Sequence, residues 1–151
     1  MEIREEELGD PGPGQLLVET RASAISPGTE RLIFNGEAPS TMPLDSSLGS
    51  LPGKFEFPFK YGYACAGVVK KASRGLKSWE GITVVCLNPH ETFFHARPEE
   101  LIPVPRDVSP EKACLLPLME TAVNLVLDGA PLLGEEVAIF GQGLLGLFVT
   151  S

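Results

Sequence analysis

The chain has 151 residues, 43% hydrophobic and 21% charged, with a formal net charge of −8. That is one ordinary domain with enough apolar residues for a core, and its acidity and lack of any basic run argue against nucleic acid as a partner. No apolar stretch reaches bilayer length, so no membrane partner is expected either.

The acidic start, Met1 to Glu7, lacks the basic-then-apolar order of a signal peptide. Cys65, Cys86 and Cys114 are scattered and odd in number, which suits reduced thiols and a cytoplasmic location. Sixteen glycines and 14 prolines without a period predict many turns and short strands.

Asp10 to Gly14 is a breaker cluster, and Gln15 to Ile25 reads as a strand with one solvated face. Ser26-Pro27-Gly28 ends it. Thr29 to Phe34 reads as a short helical turn closed by Asn35-Gly36. Residues Ala38 to Lys54 form a long Pro/Ser/Gly loop, of a length associated with function or mobility. Phe59 to Ala72 reads as a glycine-interrupted strand, Ile82 to Leu87 as a buried one and Glu91 to Ala96 as another, followed by Leu101 to Pro105.

The texture then changes. Ser109-Pro110-Glu111 has the N-cap, first-turn proline and acid of a helix start. Helical text runs to about Gly129, with a break expected at Pro117. Glu135 to Phe140 reads as an apolar strand, followed by Gly141-x-Gly143-x-x-Gly146 and an apolar helix start. In such a turn the first glycine bends the chain and the second lets backbone approach a pyrophosphate. The third lets the helix pack close to the strand, its N–H groups facing the phosphates. The acidic ribose-binding residue expected about 20 positions further on has no place before Ser151. This polypeptide alone is therefore not expected to hold the cofactor.

The order and spacing of several words resemble the medium-chain dehydrogenase/reductase (zinc-type alcohol dehydrogenase-like) superfamily. They are Pro11 to Val18, Ala22 to Arg31, Gly62 to Gly67, Glu120-Thr121-Ala122 and Gly134 to Gly143. Ile25 to Arg31 and Met119 to Asn124 look most like the subgroup that contains the bacteriochlorophyllide a hydroxyethyl dehydrogenase. The resemblance implies a GroES-like irregular β-barrel with connecting helices over residues 1–130. Residues 131–151 would then be the opening strand, glycine turn and helix start of a truncated Rossmann fold. It implies hydride transfer between NAD or NADP and a small-molecule alcohol or carbonyl substrate. It also implies a fragment, short of an N-terminal strand before Glu2–Glu7 and of more than half of the Rossmann domain. Whether the truncation is natural, a cloned domain or an incomplete sequence stays open, as do the substrate and the choice of NAD or NADP.

Zinc-type members use a Cys, a His in a Gly-His-Glu-x-x-Gly word and a third donor near the connecting helices. Here those positions match Ser26, Tyr63 (with Ala64 in place of the Glu) and a site near Pro117. A hydroxyl, a phenol and a proline do not make a zinc site, so no metal is expected. The resemblance places Ser26, Thr29, Tyr63 and Glu30 at the catalytic side. Tyr63 is either an acid/base or filler of a vacated metal cavity, and Glu30 either orients the site or stabilises a helix N-terminus. It places Gly141, Gly143, Leu144, Leu145, Gly146 and Thr121 at the cofactor. Thr121 has an alternative as a packing residue.

His90 and His95, the only histidines, have two readings: a small metal or proton-transfer site, or hydrogen-bonded loop residues, the plainer and preferred one. Cys65 reads as inert core. Leu144, Leu145, Leu147, Phe148 and Val149 would expose apolar surface without a sheet, so fraying, aggregation or homo-oligomerisation through the tail is expected. The rival reading is a non-enzymatic GroES-like β-barrel module that binds a protein partner.

Overall fold

Leu16 and Val18 are fully buried and their neighbours are not, the period-2 signature of a strand with one core face. They lie in β1 (Leu16–Ser23). The computed structural model describes residues 2–38 and 57–151; the long loop read over Ala38 to Lys54 therefore falls, beyond Ala38, outside the described residues. The chain divides into two compact units, Met1–Cys114 and Leu115–Ser151.

The first unit is built on a five-stranded antiparallel sheet. To β1 it adds β2 (Cys65–Ala72), β3 (Thr83–Cys86), β4 (Phe93–Ala96) and β5 (Ile102–Pro103), in the order β4-β1-β2-β3-β5. β1 pairs Leu16 with Ala72 on one side and with Ala96 on the other. Its register with β2 shifts between Thr20 and Ala22, leaving Arg21 as a bulge near the end of the strand. The core is Leu16, Val18, Cys65, Val69, Val84, Phe94 and Leu101 with their smaller neighbours, closed at one side by Leu76, Trp79 and Ile82. Helix α1 (Thr29–Phe34) follows β1 and buries Ile33. Helix α2 (Pro110–Ala113) starts after Ser109 and lies against β1, β2 and β3.

The strand read over Phe59 to Ala72 is shorter than expected. Residues before Cys65 stay outside the ladder, with rings at alternate positions. The Phe57–Phe59, Phe59–Tyr61 and Tyr61–Tyr63 centroids are 5.1, 6.1 and 6.3 Å apart. Glu2 to Glu7 forms no strand among the described residues.

The second unit is helical. Helix α3 (Leu116–Gly129) has Pro117 in its first turn and ends on Ala130 at φ 41°. Pro117 begins this helix rather than breaking it, because a first-turn N–H has no intrahelical partner to lose. The short α4 (Leu144–Thr150) packs on α3. Glu135 to Phe140, read as a strand, forms no ladder. The described residues offer it no neighbouring strand, and a strand is defined by a partner for its N–H and C=O groups. By compactness α3 groups with this tail, whereas the resemblance counts it with residues 1–130.

Candidate active site

Two places carry the residues singled out by sequence, one in each unit.

In the first unit the chain leaves β1, ties Ala24 N–H to the Ala64 carbonyl at 2.8 Å and turns at Ser26 into α1. Ser26 is buried. Its N–H donates to Glu30 Oε1 at 2.8 Å, while its carbonyl accepts from Glu30 N–H at 3.1 Å. Glu30 thus folds back on the start of its own helix, as an acid in a first turn does. Its second oxygen faces elsewhere: Oε2 is 2.8 Å from His90 Nε2, and His90 Nδ1 is 2.8 Å from Ser23 Oγ. The three side chains form one hydrogen-bonded chain, Glu30–His90–Ser23. Exposure rises along it, from 12% for the Glu30 side chain to 32% for His90, with Ser23 exposed at the end of β1.

The backbone around His90 is built to hold it. Its N–H donates to the Tyr61 carbonyl at 3.0 Å. Buried Asn88 donates through Nδ2 to the Pro89 carbonyl at 3.0 Å and to Glu91 Oε2 at 3.3 Å, pinning the turn. Lys60 bonds Glu91 and, at 2.6 Å, Glu6. The hydrogen bonds it donates to those two carboxylates, Glu6 first, hold its ammonium above the usual lysine range. The imidazole rests on Gly62: a Cβ there would lie 2.8 Å from His90 Cδ2 and Nε2, and Gly62 has φ +122°. Only glycine meets both requirements.

Of the residues expected at the catalytic side, Ser26 and Glu30 are brought together. Thr29 is exposed at the first position of α1. Tyr63 is half-buried with its ring against Tyr61. The two histidines do not converge. His95 Nε2 bonds the Gly9 carbonyl at 3.0 Å, while His90 belongs to the Glu30 chain. Sequence reading passed over Ser23, and for His90 it preferred the hydrogen-bonded loop residue to a proton-transfer site shared with His95. The one signal was Gly62, a glycine with a reason of its own beside the Asn88-Pro89-His90 turn.

In the second unit the glycine turn is tight at its first and third glycines. Gly141 has φ +99°, a conformation that favours glycine, and a Cβ on Gly146 would fall 2.0 Å from the Gly141 carbonyl oxygen. The third glycine therefore lets α4 close onto the first. A Cβ on Gly143 would meet nothing within 4 Å. Leu144 and Leu145, half-buried, open α4. Gln142 Nε2 reaches Thr150 Oγ1 at 3.4 Å across the turn. Thr121, expected at the cofactor, donates its hydroxyl to the Pro117 carbonyl at 2.9 Å. That backbone bond within its own helix serves the packing alternative as well as the cofactor one.

No family model matches the chain, and no curated protein matches it in sequence. Solved structures do match in fold. RspB of Escherichia coli CFT073, described as a short chain alcohol dehydrogenase and solved with NADH, is 17% identical, with a TM-score of 0.73 over 98% of this chain and 48% of its own. A dehydrogenase of Clostridium scindens described as zinc-binding is 15% identical, with a TM-score of 0.74 over 97% of this chain and 47% of its own. Quinone oxidoreductase of Escherichia coli, solved with NADPH, is 22% identical, with a TM-score of 0.56 over 82% of this chain and 35% of its own. The chain thus spans about half the length, or less, of the structures it matches. No described helix is long and apolar enough to cross a membrane. The five-stranded sheet with its few helices has the fold of the N-terminal domain of the medium-chain alcohol dehydrogenase-like proteins.

Proposed function

We propose that the chain is the N-terminal part of a zinc-independent, NAD- or NADP-linked alcohol dehydrogenase-like oxidoreductase of the medium-chain superfamily. The observation that carries the reading is the glycine turn. Gly141 is left-handed, Gly143 is open, and Gly146 lies so close to the Gly141 carbonyl that no side chain fits. A left-handed first glycine and an open second one are what a pyrophosphate-binding turn asks for, and they support this reading. That solved relatives in fold carry NADH or NADPH supports the same class of cofactor here.

In that role Gly141, Gly143 and the backbone opening α4 at Leu144 and Leu145 would cradle the phosphates, with Thr121 towards the nicotinamide. The bound dinucleotide supplies hydride acceptance or donation. The substrate is an alcohol or a carbonyl compound, handled by the polar groups that follow β1: Ser26, Thr29, Glu30 and, across from them in sequence, Tyr63. The wording at Ile25 to Arg31 and Met119 to Asn124 supports the subgroup that contains the bacteriochlorophyllide a hydroxyethyl dehydrogenase.

Zinc does not suit the positions the superfamily uses for it. Ser26 offers a hydroxyl, Tyr63 a phenol and Pro117 no side-chain donor. The reading is therefore of an enzyme that moves its proton through side chains alone, in a cytoplasmic protein. The tail after α3 exposes Leu132, Leu133, Val137 and Phe140, which supports self-association of the isolated chain.

The test is NAD(P)H binding by fluorescence, on this chain and on a longer gene product that contains it. Binding is expected for the longer product and little or none for the chain alone. A longer product that ignores both dinucleotides removes the oxidoreductase reading and leaves the partner-binding module. Metal analysis is separate: one tightly held zinc per chain would refute zinc independence.

A further inference from the structure

We infer that Glu30, His90 and Ser23 form the proton-transfer unit of this enzyme, with the Ser23 hydroxyl the group that meets the substrate oxygen. The inference rests on the oxidoreductase reading above and deepens it.

The carboxylate fixes the direction of one bond, and in the neutral ring the other follows from it. An ionised carboxylate only accepts, so His90 Nε2, 2.8 Å from Glu30 Oε2, carries the ring proton. Neutral His90 then presents Nδ1 as an acceptor, and Ser23 Oγ, 2.8 Å away, donates to it. The hydroxyl hydrogen of Ser23 is thereby committed inward, while its oxygen lone pairs remain at the exposed end of β1. A group in that state accepts a hydrogen bond from an alcohol O–H. Carboxylate, imidazole and hydroxyl stand in the order that lets a base act through a hydroxyl.

The step balances. The alcohol proton passes to Ser23 Oγ as the Ser23 proton passes to His90 Nδ1. The carbinol C–H bond breaks, its electron pair and hydrogen leaving as hydride for the oxidised nicotinamide, and a C=O bond forms. The resulting imidazolium faces Glu30, which offsets its charge. His90, 32% exposed, returns the proton to water. Reduction of a carbonyl runs the sequence backwards. Glu30 acts only through His90 and is a positioning residue, itself fixed by the Ser26 N–H at 2.8 Å. Gly62 holds the ring edge in place from below.

Two measurements decide it. Nitrogen NMR of the histidine-labelled chain at mildly alkaline pH should show His90 protonated at Nε2 and bare at Nδ1. The opposite tautomer, or a ring protonated on both nitrogens, overturns the relay without reference to activity. In the longer gene product, His90→Ala should lower kcat for alcohol oxidation about 100-fold or more with little change in KM, the size of a lost general base. Added imidazole should restore part of that rate. Ser23→Ala should lose a similar factor and Ser23→Thr should keep most of the rate. A wild-type protein with no dinucleotide-dependent activity sinks the oxidoreductase reading and the relay with it. An active wild type whose His90→Ala variant keeps its kcat, or whose lost rate imidazole leaves unchanged, overturns the relay alone.

Discussion

The two units handle apolar residues in opposite ways. In the first, Leu16, Val18 and Val84 are fully out of water, because paired strands supply both hydrogen-bond partners and a shared face to pack on. In the second, Ala122 alone among the described residues reaches the interior, while Leu133 and Phe140 stand almost wholly exposed. The apolar runs read much alike in the sequence. What separates them is a neighbour: Val84 has Gly67 and Pro103 beside it, and Val137 has no strand beside it among the described residues. A strand-forming sequence is only half of a strand.

The sharpest way to break this contrast is by truncation. Leu16→Ala should cost about 2–5 kcal/mol in denaturant unfolding, transfer and cavity together. Leu133→Ala should stay within about 0.5 kcal/mol. Equal costs would mean that the tail is covered.

Next in size is Gly62→Ala. It should destabilise by about 1–3 kcal/mol, from a side chain at φ +122° and the collision with His90. In a His90→Ala background the loss should shrink, since only the backbone strain remains. An unchanged loss would show that the ring does not rest on Gly62.

Smaller in stability but visible in association is Phe140→Asp. Sedimentation should show less self-association with an unfolding midpoint shifted little, because an exposed apolar ring is exchanged for a charge. A variant as associated as the parent would move the sticky surface elsewhere.

The smallest effect concerns Glu80. The Lys77 ammonium first, and then the Ala72 N–H at 2.9 Å, hold its carboxyl below the usual carboxylate range. A lowered carboxyl contributes above its unfolded pKa, and the contribution is lost as pH falls through the folded one. The difference in thermal midpoint between wild type and Glu80→Gln should therefore close in acid. A difference that widened would reverse the sign.

Much of the sheet was legible. The part-alternating Gln15 to Ile25 and the apolar run Ile82 to Leu87 matched β1 and β3 to within one or two residues at each end, and Asn35-Gly36 closed α1 where expected. The misreadings share a cause. Pro117 is a break or a start depending on whether a helix already stands before it, which a local pattern does not contain. Phe59 to Ala64 was read as the start of a glycine-interrupted strand, yet its alternate rings go to ring contacts rather than to a ladder.

At the candidate site, Glu30 and Ser26 sit four residues apart and were found together. His90 lies 60 residues from Glu30 and 67 from Ser23, and nothing in its own neighbourhood announces the pairing.

The sequence alone determined the local matters: which segments alternate, where the chain must turn left-handed, and that Gly141, Gly143 and Gly146 admit a close approach of backbone. These are settled within a few residues by sterics and hydrogen-bonding capacity. Only the tertiary structure decided which side chains meet. β1, β2 and β3 carry Ser23, Gly62's segment and the turn bearing His90 to the same end of the sheet. The reason is that long-range pairing depends on the sum of the core, not on any stretch of text beside the residues it joins.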